Sequence, residues 1–168
     1  MAAITDLATA SSVATGDYLV ISQSGTDRKV VADKFAIHVA GTWTPTLLFA
    51  GGNSGITYSA QVGNYVKCGN LVMISARVAL TSKGSSTGTC YIGNFPYTVG
   101  GAAGIIYVWP VDWDTLASTY LDVQLQSTTG WAYAALRGIT AAAASMGTLT
   151  NSAIANTTSI SFTGMYYV

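Results

Sequence analysis

From Thr57 to Leu80 apolar and polar positions alternate with a period of two, interrupted once at Cys68-Gly69-Asn70-Leu71. Past that interruption Val72, Ile74, Ala76, Val78 and Leu80 fall on one side, and Leu71, Met73, Ser75, Arg77 and Ala79 on the other. Such a period predicts a strand with one face on a core. Gly and Asn tolerate positive φ, so the interruption predicts a tight hairpin turn. Thr42 to Phe49 reads as an edge strand, because Pro45 cannot donate to a central ladder. Thr89 to Ile92 is a short strand and Gly104 to Trp109 an apolar run, followed by a loop over Pro110 to Thr115. Tyr120 to Gln126 alternates with Leu121, Val123 and Leu125 inward, and Trp131 to Arg137 returns beside it. Gly138 to Asn156 reads as a long loop with one turn near Ala141 to Ala144. Thr158 to Val168 is the closing strand, with Ile160, Phe162, Tyr166 and Val168 on one face. The pattern predicts an all-β fold, an antiparallel β-sandwich of jelly-roll type.

Residues 1–40 follow another pattern. Asp17 to Gln23 and Arg28 to Ala32 read as two strands around a turn at Ser24 to Asp27. Asp33 suits an N-cap, Lys34 to Ala40 a short helix, and Gly41 its end. Half of the chain's charges lie in this segment. A small β-hairpin plus short helix with so few apolar side chains cannot build a core alone. The expected division is therefore a module over 1–40, packed on a partner, on its own copies or on the following domain, and a sandwich over 41–168.

Composition narrows the function classes. Only 8% of the 168 residues are charged, and every acid is Asp, against about 25% charged in ordinary domains. So weakly charged a surface suggests that part of it is covered in an oligomer. A net charge of zero removes the usual electrostatic basis for binding nucleic acid or an anionic membrane. No apolar run is long enough to span a bilayer, and the first residues lack the basic and apolar regions of a signal peptide, so synthesis in a cytoplasm is expected. Cys68 and Cys90 both fall near strand ends. Free thiols are expected there, although the geometry leaves a bridge conceivable.

Candidate chemistry is sparse. The single histidine, His38, lies in the expected short helix near Phe35 and Val39, where a surface or interface histidine is far commoner than a base, so no catalytic site is expected. One histidine, two separated cysteines and scattered Asp give no metal-ligand spacing. Gly100 to Gly104 precedes a strand instead of joining a strand to a helix, so no dinucleotide cofactor is expected. The best remaining group is Trp109, Asp112, Trp113 and Asp114, with Tyr97 as an exposed tyrosine. Flat aromatics beside short carboxylates suit a glycan- or partner-contact loop. The face bearing Met73 and Arg77 is a candidate subunit contact.

The order Ile4-Thr5-Asp6-Leu7, Asp17 to Gln23, a Gly-Thr turn, and Arg28-Lys29-Val30-Val31 resembles an N-terminal module of phage tail-fibre and related virion proteins. That resemblance implies attachment or oligomerisation, with Ile4, Leu7, Tyr18, Val20, Arg28, Lys29 and Phe35 as the candidate attachment residues. Over residues 41–97, Gly41-Thr42-Trp43-Thr44-Pro45, Gly63-Asn64-Tyr65-Val66-Lys67-Cys68-Gly69-Asn70 and Tyr91-Ile92-Gly93-Asn94-Phe95-Pro96 are similar to the C-terminal domain of phage tail-fibre and tail-spike proteins. The likeness implies a homotrimeric β-sandwich at a distal tip or virion surface that recognises the host. The N-terminal resemblance implies that residues 1–40 join it to other virion proteins, and a host-surface glycan is the target expected for the loop from Trp109 to Thr115. A capsid decoration or head-fibre protein, and a free-standing carbohydrate-binding module, are the alternative expectations.

Overall fold

The computed structural model describes residues 18–23, 26–31, 38–141 and 145–168. Contacts divide the chain into two units, Met1–His38 and Val39–Val168. In the first, β1 (Tyr18–Gln23) and β2 (Thr26–Val31) form an antiparallel hairpin running from Gln23↔Thr26 to Tyr18↔Val31. Val20 stands opposite Lys29, and Ile21 opposite Arg28. Ile4, Leu7 and Phe35 lie outside the described residues. The short helix expected over Lys34 to Ala40 is corrected at its C-terminal end: His38, Val39 and Ala40 belong to strand β3 (His38–Trp43), and residues 34–37 lie outside the described residues.

The second unit is all-β and antiparallel, with no α-helix among the described residues. Its further strands are β4 (Thr46–Phe49), β5 (Ile56–Cys68), β6 (Leu71–Lys83), β7 (Cys90–Gly93), β8 (Ile106–Leu116), β9 (Asp122–Thr128), β10 (Ala134–Ile139), β11 (Gly147–Thr148) and β12 (Ile154–Tyr167). They follow one path, β3-β5-β6-β12-β8-β9-β10-β7-β4, with β11 beside β10, and the sheet curls into a sandwich-like half-barrel. The expected hairpin is β5–β6, closed by Cys68↔Leu71 with Gly69 at φ 57. Its inward residues Val72, Ile74, Ala76, Val78 and Leu80 are all buried.

Pro45 does more than mark an edge. The stretch expected as one strand over Thr42 to Phe49 breaks at Thr44 and Pro45 into β3 and β4, which are the two ends of the strand path. The chain thus crosses from one half of the sheet to the other where proline removes a donor. Strand β8 makes the opposite corner. Its residues Ile106 to Pro110 pair with β9, and Val111 to Leu116 pair with β12.

The core fills the space between the halves. Phe95 meets Trp43 edge-on at 5.5 Å and stacks on Tyr166 at 5.8 Å, while Trp109 lies 6.0 Å from Tyr166. Glycines make room for these rings. A Cβ on Gly63 would overlap the Trp43 indole, and one on Gly41 would lie 2.7 Å from the Tyr65 hydroxyl. Because β3 pairs with β5, Gly41 and Trp43 interlock reciprocally with Tyr65 and Gly63. Leu121, expected inward, is corrected to 59% exposed: it precedes β9, whose inward positions are Val123, Leu125 and Ser127.

Candidate functional site

The expected contact loop at Pro110 to Thr115 is a strand. Extended geometry sends neighbouring side chains to opposite faces, and β8 therefore divides the group in two. Trp109 is 5% exposed, its Nε1–H donating to the Met165 carbonyl at 3.0 Å, with Gly164 leaving room for its ring. It is a core residue, and its place as a glycan contact is corrected. Trp113 has the same orientation but is half-buried against the core. Asp112 and Asp114 share the outer face and are exposed. Tyr97 is half-buried as well. Its ring meets Tyr65 edge-on at 5.6 Å, and its carbonyl accepts the Tyr166 hydroxyl at 3.0 Å. Burial pushes the Tyr166 phenol up to about 12.

What remains of the expected group is split between two surface depressions. Trp113 and Asp114 line a polar one together with Ser118 and Tyr120 at the end of β8. Thr115, at φ 57, donates to Asp114 Oδ1 at 3.2 Å, and Thr158 donates to the Thr115 carbonyl at 2.8 Å, so this turn is held in place. Asp112 belongs to a different depression, shared with Val62, Asn64, Arg77, Ser161 and Thr163 on the outer face of β5, β6, β12 and β8.

Ladder registers resolve that outer face into rows. Arg77 stands between Val62 and Ser161, and Ser161 stands beside Asp112. The next row is Asn64, Ser75 and Thr163. Below it lie Val66, Met73 and Met165, which are 41%, 47% and 53% exposed. Cys68, Leu71 and Tyr167 complete the series. The alternation of β6 indicated that Met73 and Arg77 share this face. Adding Val66, Met165 and Asp112 required knowing which strands flank β6.

Both cysteines are free, Cys68 exposed and Cys90 buried. Burial pushes the Cys90 thiol up to about 12, with Lys83 opposing the shift. Among the described residues, no group of three or more His, Cys, Asp or Glu is placed to hold a metal ion. Sequence reasoning missed two cationic ties. Lys83 Nζ donates to the carbonyls of Asn151 and Ile154, at 3.1 and 2.9 Å, and pins the end of β6 to the start of β12. Arg137 bridges the Gln126 side chain and the Met146 carbonyl. Both are lone charges in apolar or polar sequence, so their pairing depends on segments far along the chain.

No family model, curated protein or solved structure matches this chain.

Proposed function

We propose that the protein is a non-catalytic virion structural protein, a short phage tail fibre or tail protein. In this reading residues 1–40 attach it to other virion proteins, and residues 41–168 form a homotrimeric head of jelly-roll type whose loops meet a host-surface glycan. The supporting observation is the reciprocal packing of Gly41 and Trp43 with Tyr65 and Gly63. It gives a structural reason for the motif residues on which the resemblance to tail-fibre domains stands. Exposed Val66, Met73 and Met165 in one row further favour assembly over a solitary life, because contiguous apolar patches mark interaction surfaces.

Immunogold labelling of purified phage particles tests the location. Label at the tail supports the reading, label over the capsid moves the protein to the decoration or head-fibre alternative, and unlabelled particles overturn both. The depression lined by Trp113 and Asp114 favours a second reading, a carbohydrate-binding module. A glycan array with Trp113→Ala as control decides it. Binding lost in the variant supports that reading, and an array without binding removes it.

A further inference from the structure

The row containing Arg77 carries one positive and one negative end at the same height along the strands. Arg77 lies on β6 and Asp112 on β8, with Ser161 of β12 between them. Two strand spacings separate them, about 10 Å, and no hydrogen bond or ion pair joins them among the described residues. Beneath this row lie Asn64, Ser75 and Thr163, then the exposed apolar row Val66, Met73 and Met165, then Tyr167, 54% exposed. The face is therefore graded along the strands and charge-reversed across them.

We propose that this face is covered by another copy of the same chain, related by a rotation axis that runs above β12 and parallel to it. Such an axis leaves height along the strands unchanged and exchanges the β6 side for the β8 side. Arg77 of one copy then meets Asp112 of the next. Met165, on the middle strand, meets its own equivalents, and the apolar row is buried against itself. An axis across the strands at the height of Ser75 would set the apolar row against the charged one, leaving charges desolvated without partners, and one at the height of Met73 would bury the apolar row but leave Arg77 and Asp112 unpaired. Self-complementarity of charge is the argument for a second copy over an unrelated protein. The proposal rests on the homotrimer of the preceding reading only for the number of copies.

Sedimentation equilibrium on the full chain tests it, with circular dichroism recording that each variant keeps its strands. The parent protein associates as a trimer. Arg77→Asp and Asp112→Arg each weaken association at least about tenfold, and the double reversal returns to within about threefold of the parent. Met165→Lys weakens it comparably and serves as the deciding variant should a charge reversal fail to fold. Single reversals that associate like the parent overturn the face while leaving a trimer built elsewhere. Failure of the double reversal to recover overturns the Arg77 to Asp112 pairing. A parent dimer that responds to the reversals upholds the face and overturns the trimer. A parent still monomeric at about 100 µM overturns both.

Discussion

The two faces of β5, β6, β12 and β8 are made by the same strands and obey the same alternation, yet they differ in how completely they are satisfied. On the inner face Trp109 lies over Gly164, its N–H meets the Met165 carbonyl, and Phe95 and Tyr166 stack nearby. Large residues there have matching small ones, and the buried Trp109 donor has an acceptor, whereas Trp43 Nε1 in the same core has none among the described residues. On the outer face Val66, Met73 and Met165 stand in one row, half-exposed, with no other strand of the second unit over them. Alternation alone makes two faces. Complementary glycines and hydrogen bonds make one of them an interior.

Breaking the inner face carries the largest expected cost. Trp109→Ala should lower unfolding stability by about 3–5 kcal/mol, measured by urea denaturation, since it removes a large buried ring and a hydrogen bond. Gly164→Val comes next. Its Cβ would lie 2.6 Å from the Trp109 ring, so a loss of about 1–3 kcal/mol is expected from overpacking, and an unchanged midpoint would show that the indole can move. Tyr166→Phe keeps the ring but leaves the Tyr97 carbonyl without its donor, for about 1 kcal/mol near neutral pH.

The same tyrosine predicts a pH response. Its folded pKa is raised to about 12 by burial, whereas an unfolded tyrosine ionises near 10. As pH rises through that window the unfolded chain sheds a proton that the folded chain retains, so stability falls. Thermal melts from pH 9 to about 12 should show a shallower decline for Tyr166→Phe than for the parent. The smallest effect belongs to the outer face. Met73→Thr should change the stability of the dissociated chain by no more than about 0.5 kcal/mol, measured at a dilution where association is absent. A loss above about 2 kcal/mol there would remove the contrast between the faces.

The β5–β6 hairpin was legible because period-two alternation and a Gly-Asn turn are local signals. The closing strand was legible for the same reason, although it begins earlier, at Ile154. Strand order was not, because β6 between β5 and β12 is a fact about residues far apart in sequence. The expected contact loop failed on one residue type. Pro110 suggests a break, but at the corner where β8 leaves β9 for β12 a missing donor costs little, and the strand runs through. That continuity separates Trp109 from Asp112 by face. The Gly41, Trp43, Gly63 and Tyr65 spacing was visible as a motif, while its physical content, rings over glycines on adjacent strands, needed the pairing of β3 with β5.

Strand β12 fills the middle of its half of the sheet although it comes last of the strands in the chain. On the ribosome, Ala79 must wait for Ser159 to emerge, roughly 80 residues later, before β6 gains its second neighbour. Until then the hairpin presents a long unpaired edge and a bare apolar side to solvent. Nascent chains stopped short of β12 are therefore the form of this protein most prone to aggregate and most dependent on chaperones.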